Sequence, residues 1–82
     1  GEGLIRNDRE TLIKGRLAAL TARQVELVRR VADGENMKEI AFRWGVTAKA
    51  AEYHRAQVYA KLGVRSVALL TRFALRHGLV EL

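Results

Sequence analysis

Four glycines divide the last three-quarters of this chain. Gly34, Gly45, Gly63 and Gly78 fall at intervals of 11, 18 and 15, each after a run of apolar residues at helical spacing. Glycine just past such a run is the usual residue for closing a helix. The chain contains no proline and shows no alternating apolar pattern. The spacing therefore predicts an all-α domain of four helices.

The helix starts agree with these stops. In Leu20-Thr21-Ala22-Arg23-Gln24-Val25, Thr21 and Gln24 stand at capping-box spacing, and Leu20 and Val25 form the matching hydrophobic staple. A helix is predicted from there to Asp33, with Val28, Val31 and Ala32 supplying much of its buried side. A second, from about Asn36 to Trp44, puts Met37, Ile40, Ala41 and Trp44 on one face. Gly45 and Val46 turn the chain, and Thr47 caps a helix reaching Leu62. After Gly63-Val64-Arg65, Ser66 caps the last helix, which ends before Gly78. Residues 1–19 read as a linker or frayed helix that joins another domain, with Asn7 and Glu10 as a weaker capping box and Gly15 costing about 1 kcal/mol relative to alanine. Residues 20–82 form the domain proper.

At 82 residues such a domain must use every apolar helix face. No cysteine is present, so no disulfide or thiolate metal site supports the fold. No apolar run exceeds four residues, as at Val67 to Leu70, far too short to span a membrane, and no secretory signal is visible. The net charge is +6, and residues 47–82, with six basic and two acidic side chains, carry +4 of it. Such a surplus attracts polyanions, although a solvated surface is the plainer reading of charge alone.

A short helix, a glycine-containing turn of about three residues and a longer capped helix make the pattern of a helix-turn-helix. In that motif the second helix enters the major groove of DNA. On a helical wheel of residues 48–62, Ala51, Val58 and Leu62 form the core face with His54 at its margin. Lys49, Glu52, Tyr53, Ala56 and Ala60 form the opposite stripe, so Lys49, Glu52, Tyr53 and Ala56 are the candidate base readers. Arg55 and Lys61 flank the stripe and, with Thr47, Arg65 and Lys38, are the candidate phosphate contacts. Lys38 stands in the first turn of its helix, with a pairing to Glu35 as the alternative. A plain amphipathic helix in a bundle is the competing reading of the whole stretch.

"LTARQVELV", "ADGENMKEIA", "GVT", the "H" and then "KLGVRS", and "RHGLV" occur in this order between Leu20 and about Val80. Together they resemble the LuxR/FixJ/NarL-type (GerE-like) helix-turn-helix of bacterial transcription regulators, over some three-quarters of the chain. The resemblance implies a four-helix output domain of a longer regulator in the bacterial cytoplasm, associated with the nucleoid. It implies double-stranded DNA as partner, a homodimer on DNA formed through the last helix, and RNA polymerase as a further partner. The sequence departs from the family at Ala22, where proline is common, at Gln24, where glutamate is, at Arg30, where leucine is, and at Val67, where arginine is. The main departure is Ala50-Ala51-Glu52-Tyr53-His54, since the family pattern is close to threonine-valine-lysine, one residue, then histidine. Glu52 thus replaces a lysine that the family commonly aims at DNA.

Three readings of Glu52 stand side by side. It accepts from a cytosine N4 and disfavours other bases; it pairs with Lys49 or Arg55 as a surface charge; or it marks a domain that has lost DNA binding and contacts protein instead. In the last helix, Val67, Leu70, Phe73 and Ala74 make one apolar face while Ala68 and Leu75 lie nearly opposite, available for a second copy. Trp44 and Phe42 read as helix packing, and His54 as a satisfied histidine at the core margin. His77 lies 23 residues from His54, so metal binding is not expected. No cofactor or small-molecule ligand is indicated, and nothing supports an enzyme: Ser66, the one serine, is already a cap. The alternatives to a DNA-binding regulator are a protein-interaction module on the same scaffold and a module like region four of a sigma factor.

Overall fold

The computed structural model describes residues 11–81. Helix α1 covers 11–18 and is followed by α2 (Ala22–Ala32), α3 (Met37–Trp44), α4 (Ala48–Leu62) and α5 (Val67–Arg76). No strand occurs among the described residues, so the fold is all α. None of these helices is long and apolar enough to cross a membrane. The suggested Asn7–Glu10 capping box lies outside the described residues.

Each of α2 to α5 starts on a side-chain oxygen that takes a backbone N–H three residues on. Thr21 accepts from Gln24, Asn36 from Glu39, Thr47 from Ala50 and Ser66 from Leu69, at 2.9–3.1 Å. At Thr21 the box is complete, because the Gln24 side chain accepts from the Thr21 N–H at 3.0 Å. A second complete box, Asn36 with Glu39, was not among the expected features although its spacing is in the sequence. The helix ends repeat one device. The residue after each of the four glycines donates its N–H to the carbonyl five positions back: Glu35 to Arg30, Val46 to Ala41, Val64 to Tyr59 and Leu79 to Ala74, at 2.9–3.0 Å. This bracket needs a left-handed residue, and Gly45 and Gly63, with φ of 68° and 70°, supply it at the two ends that matter for the motif.

The core is built from Leu20, Leu27, Val28, Val31, Ile40, Val58, Leu62, Leu70 and Ala74. Helix α2 packs on α5 and α4, and α3 packs on α4 and α2. Several details differ from the sequence reading. Leu27 is fully buried and was not singled out, whereas Ala32 is only partly buried. Gln24 completes the buried face of α2 with Leu27, Val28 and Val31, because its polar side chain is matched by partners inside the domain. Val67 is 47% exposed rather than sharing the core face of α5. Phe42 is 89% exposed rather than packed in the core: Met37, Ile40, Ala41 and Trp44 occupy the inner face of α3, and Phe42 lies outside it.

Residues of the predicted linker or frayed helix, helical here at 11–18, reach the carboxyl end of α4. Arg16 Nη1 donates to the Leu62 carbonyl at 3.3 Å, and Lys61 Nζ donates to the Ala19 carbonyl at 2.7 Å. A Cβ added at Gly63 would stand 3.0 Å from Arg16 Nη1, the tip of an exposed side chain that can shift, so the positive φ is what favours glycine there.

Candidate nucleic-acid interface

Helices α3 and α4 meet through the three-residue turn Gly45-Val46-Thr47. The corner is fixed by Ile40 and Ala51, both buried, and by the ring of Trp44, which meets that of His54 edge-on at 5.8 Å between centroids. The Trp44 indole N–H donates to Glu26 on α2, and the Arg23 guanidinium lies 4.8 Å above the same ring. The indole N–H, together with Arg30, holds the Glu26 carboxyl below the usual carboxylate range. Three helices are therefore tied together at one aromatic side chain. His54 departs from the expectation of a satisfied histidine: its Nδ1 is buried with no hydrogen-bond partner among the described residues.

The wheel of α4 matches the observed exposure. Ala51, Val58 and Leu62 are buried, while Lys49, Glu52, Tyr53, Ala56 and Ala60 are exposed, Tyr53 at 62%. The four candidate base readers thus share one open stripe, beginning at a helix start whose unpaired N–H groups carry partial positive charge. Thr47 is exposed and engaged as the cap of α4. Lys38 and Arg65 are exposed. Glu35 is held by Arg30 at 3.1 Å and Arg43 at 3.2 Å rather than by Lys38. The described ion pairs are these two and Arg30–Glu26, so neither Lys49 nor Arg55 holds Glu52. Arg55 lies over the Tyr59 ring at 5.7 Å and lines a 280 Å³ cleft beside Met37 and Val67.

Lys61 sits differently from the other cations. Besides the Ala19 carbonyl, its ammonium donates to Gln24 Oε1 at 2.7 Å. Gln24 Nε2 in turn donates to Gln57 Oε1 at 3.3 Å, and Gln57 Nε2 donates to the Tyr53 hydroxyl oxygen at 2.8 Å. Gln24 and Gln57 were not among the candidate site residues. The i,i+4 spacing of Tyr53 and Gln57 was visible in the sequence, but the 24–57 and 24–61 contacts exist only once α2 and α4 have packed.

The model of the bacterial regulatory proteins, luxR family, matches residues 18–74. The chain belongs to this family. Its relatives include the transcriptional regulatory protein MctR of Rhizobium johnstonii, 41% identical over 62 residues, which are 76% of this chain and 29% of MctR. The transcriptional regulatory protein TdiR of Thauera aromatica is 38% identical over 60 residues, 73% of this chain and 26% of TdiR. The oxygen regulatory protein NreC of Staphylococcus aureus is 36% identical over 62 residues, 76% of this chain and 29% of NreC. The chain thus spans less than a third of the length of these relatives. Its α3–turn–α4 unit is the helix-turn-helix of a LuxR-type domain.

Proposed function

We propose that this LuxR-type domain binds double-stranded DNA in a sequence-specific manner as the output end of a longer regulator. Helix α4 lies in the major groove with Lys49, Glu52, Tyr53 and Ala56 toward the base edges. Lys38, Thr47, Arg55 and Arg65 meet the phosphates on either side, and the internally bonded Lys61 adds its charge from behind α4. Residues 20–82 make the binding unit, and residues 1–19 link it to what precedes it. Two copies pair through α5, with Ala68 and Leu75 at the contact, and RNA polymerase is a further partner at the bacterial nucleoid. The observation that carries this reading is the open stripe of α4, presented by a helix whose start is capped and whose back is buried against α2 and α3. Pairing through α5 is supported by the exposed Ala68 and by Leu69 and Leu75, 42% and 37% exposed on the same helix.

The test is binding to random and to selected duplexes across salt concentrations. With three cationic phosphate contacts in each of two copies, affinity is expected to fall roughly a thousandfold between about 50 and 200 mM salt. Selected sites are expected to hold two half-sites about one helical turn apart, each complex sedimenting with two chains. A flat salt dependence would defeat the DNA reading in favour of a protein-interaction module. One chain per site would defeat the pairing through α5.

A further inference from the structure

The bonds running from Lys61 to Tyr53 have a direction, and their partners fix it. Gln24 Oε1 receives two donors, the Thr21 N–H at 3.0 Å and the Lys61 ammonium at 2.7 Å. An amide nitrogen has no lone pair to offer either donor, so the oxygen must be on that side and the NH₂ must face Gln57. Gln57 meets this NH₂ with its oxygen at 3.3 Å, which turns its own NH₂ to the Tyr53 hydroxyl at 2.8 Å. Every N–H in the chain therefore points the same way, from an ammonium at the back of α4 to a phenol on its open stripe. A hydrogen-bond chain of uniform direction polarises each member in turn. At its outer end the Tyr53 oxygen already accepts a bond, and its O–H is left to be given away.

We propose that Gln24 and Gln57 are positioning residues that set Tyr53 as a hydrogen-bond donor to DNA, either to a phosphate oxygen or to an acceptor on a base edge. This assignment rests on the placement of α4 in the groove. Gln24 decides the polarity. A glutamate at that position keeps the capping box, because its carboxylate accepts from the Thr21 N–H equally well. It also keeps the Lys61 contact as an ion pair. It has no N–H to offer, however. Gln57 must then present its NH₂ to the carboxylate and its oxygen to Tyr53, which gives up its proton inward and turns only lone pairs toward the DNA. Lone pairs facing phosphate oxygens or purine N7 are repelled.

The experiment is a double-mutant cycle with Gln24→Glu and Tyr53→Phe, measured on duplexes selected by the unaltered domain, together with side-chain amide NMR without DNA. Tyr53→Phe alone is expected to weaken binding about three- to tenfold, the worth of one hydrogen bond. In the Gln24→Glu background the same change is expected to cost nothing, within about twofold. A uniform loss over all sequences assigns the acceptor to phosphate, and a loss confined to one base pair assigns it to a base. Equal losses in both backgrounds overturn the relay. In the NMR arm, the Gln57 NH₂ protons are expected to show cross-peaks to the Tyr53 ring, and these are expected to vanish in Gln24→Glu. Their persistence overturns the proposal whatever the DNA result. If the domain selects no duplex and the salt dependence is flat, the groove placement fails instead, and the NMR arm still decides the direction of the relay.

Discussion

Ile40→Ala is expected to lower stability by about 2–5 kcal/mol and to weaken DNA binding at 37 °C. Ile40 is fully buried in the core cluster on α3, the helix that packs on both α2 and α4. A domain of this size has roughly 4–12 kcal/mol in total, so the loss is a large part of it. The melting temperature is expected to fall by about 10–30 °C, and thermal melts followed by circular dichroism measure it. Binding follows stability here because α3 is the surface that sets the angle of α4. A drop below about 1 kcal/mol would mean that the α3–α4 corner is held mainly by the Trp44 network rather than by the core.

The second large effect concerns Glu52, exposed on the open stripe and paired with neither Lys49 nor Arg55. Glu52→Lys replaces repulsion of a phosphate-lined groove by attraction. Affinity for any duplex is expected to rise roughly tenfold, with the salt slope steeper by about one unit and preference at one position moved toward guanine. Glu52→Ala is expected to leave non-specific affinity unchanged or slightly better. It is expected to lose about 1–3 kcal/mol of discrimination at the same base pair, the worth of a carboxylate reading cytosine N4. Site selection with the three proteins side by side measures this. Identical preferences in all three would leave Glu52 without a reading role.

The helices and their order were legible because their ends are written locally. Thr21, Thr47 and Ser66 each cap a helix at its predicted start, and Gly45, Gly63 and Gly78 stand at or just beyond the ends, while α2 stops at Ala32 with Asp33 as its cap. The open face of α4 was legible for the same reason, since a wheel needs only helical geometry. Two kinds of information were not legible. Apolar character alone suggested that Phe42 packs, but burial depends on how many inner positions a short helix has, and α3 has filled them. For Lys61 the wheel gives a direction and not what lies there. Its neighbours, Ala19 and Gln24, are 42 and 37 residues away in sequence and meet it only in the packed domain.

The repeated glycine brackets also bear on how quickly this chain finds its structure. Each closes within six residues, and each cap within four, so the helix boundaries can be set before any helix has met another. The remaining search is the docking of short preformed rods joined by tight corners. Chains dominated by such near-neighbour contacts fold in microseconds to milliseconds. Stopped-flow or temperature-jump relaxation is expected to place this domain in that range, without a slow phase from proline isomerisation, since the chain contains no proline.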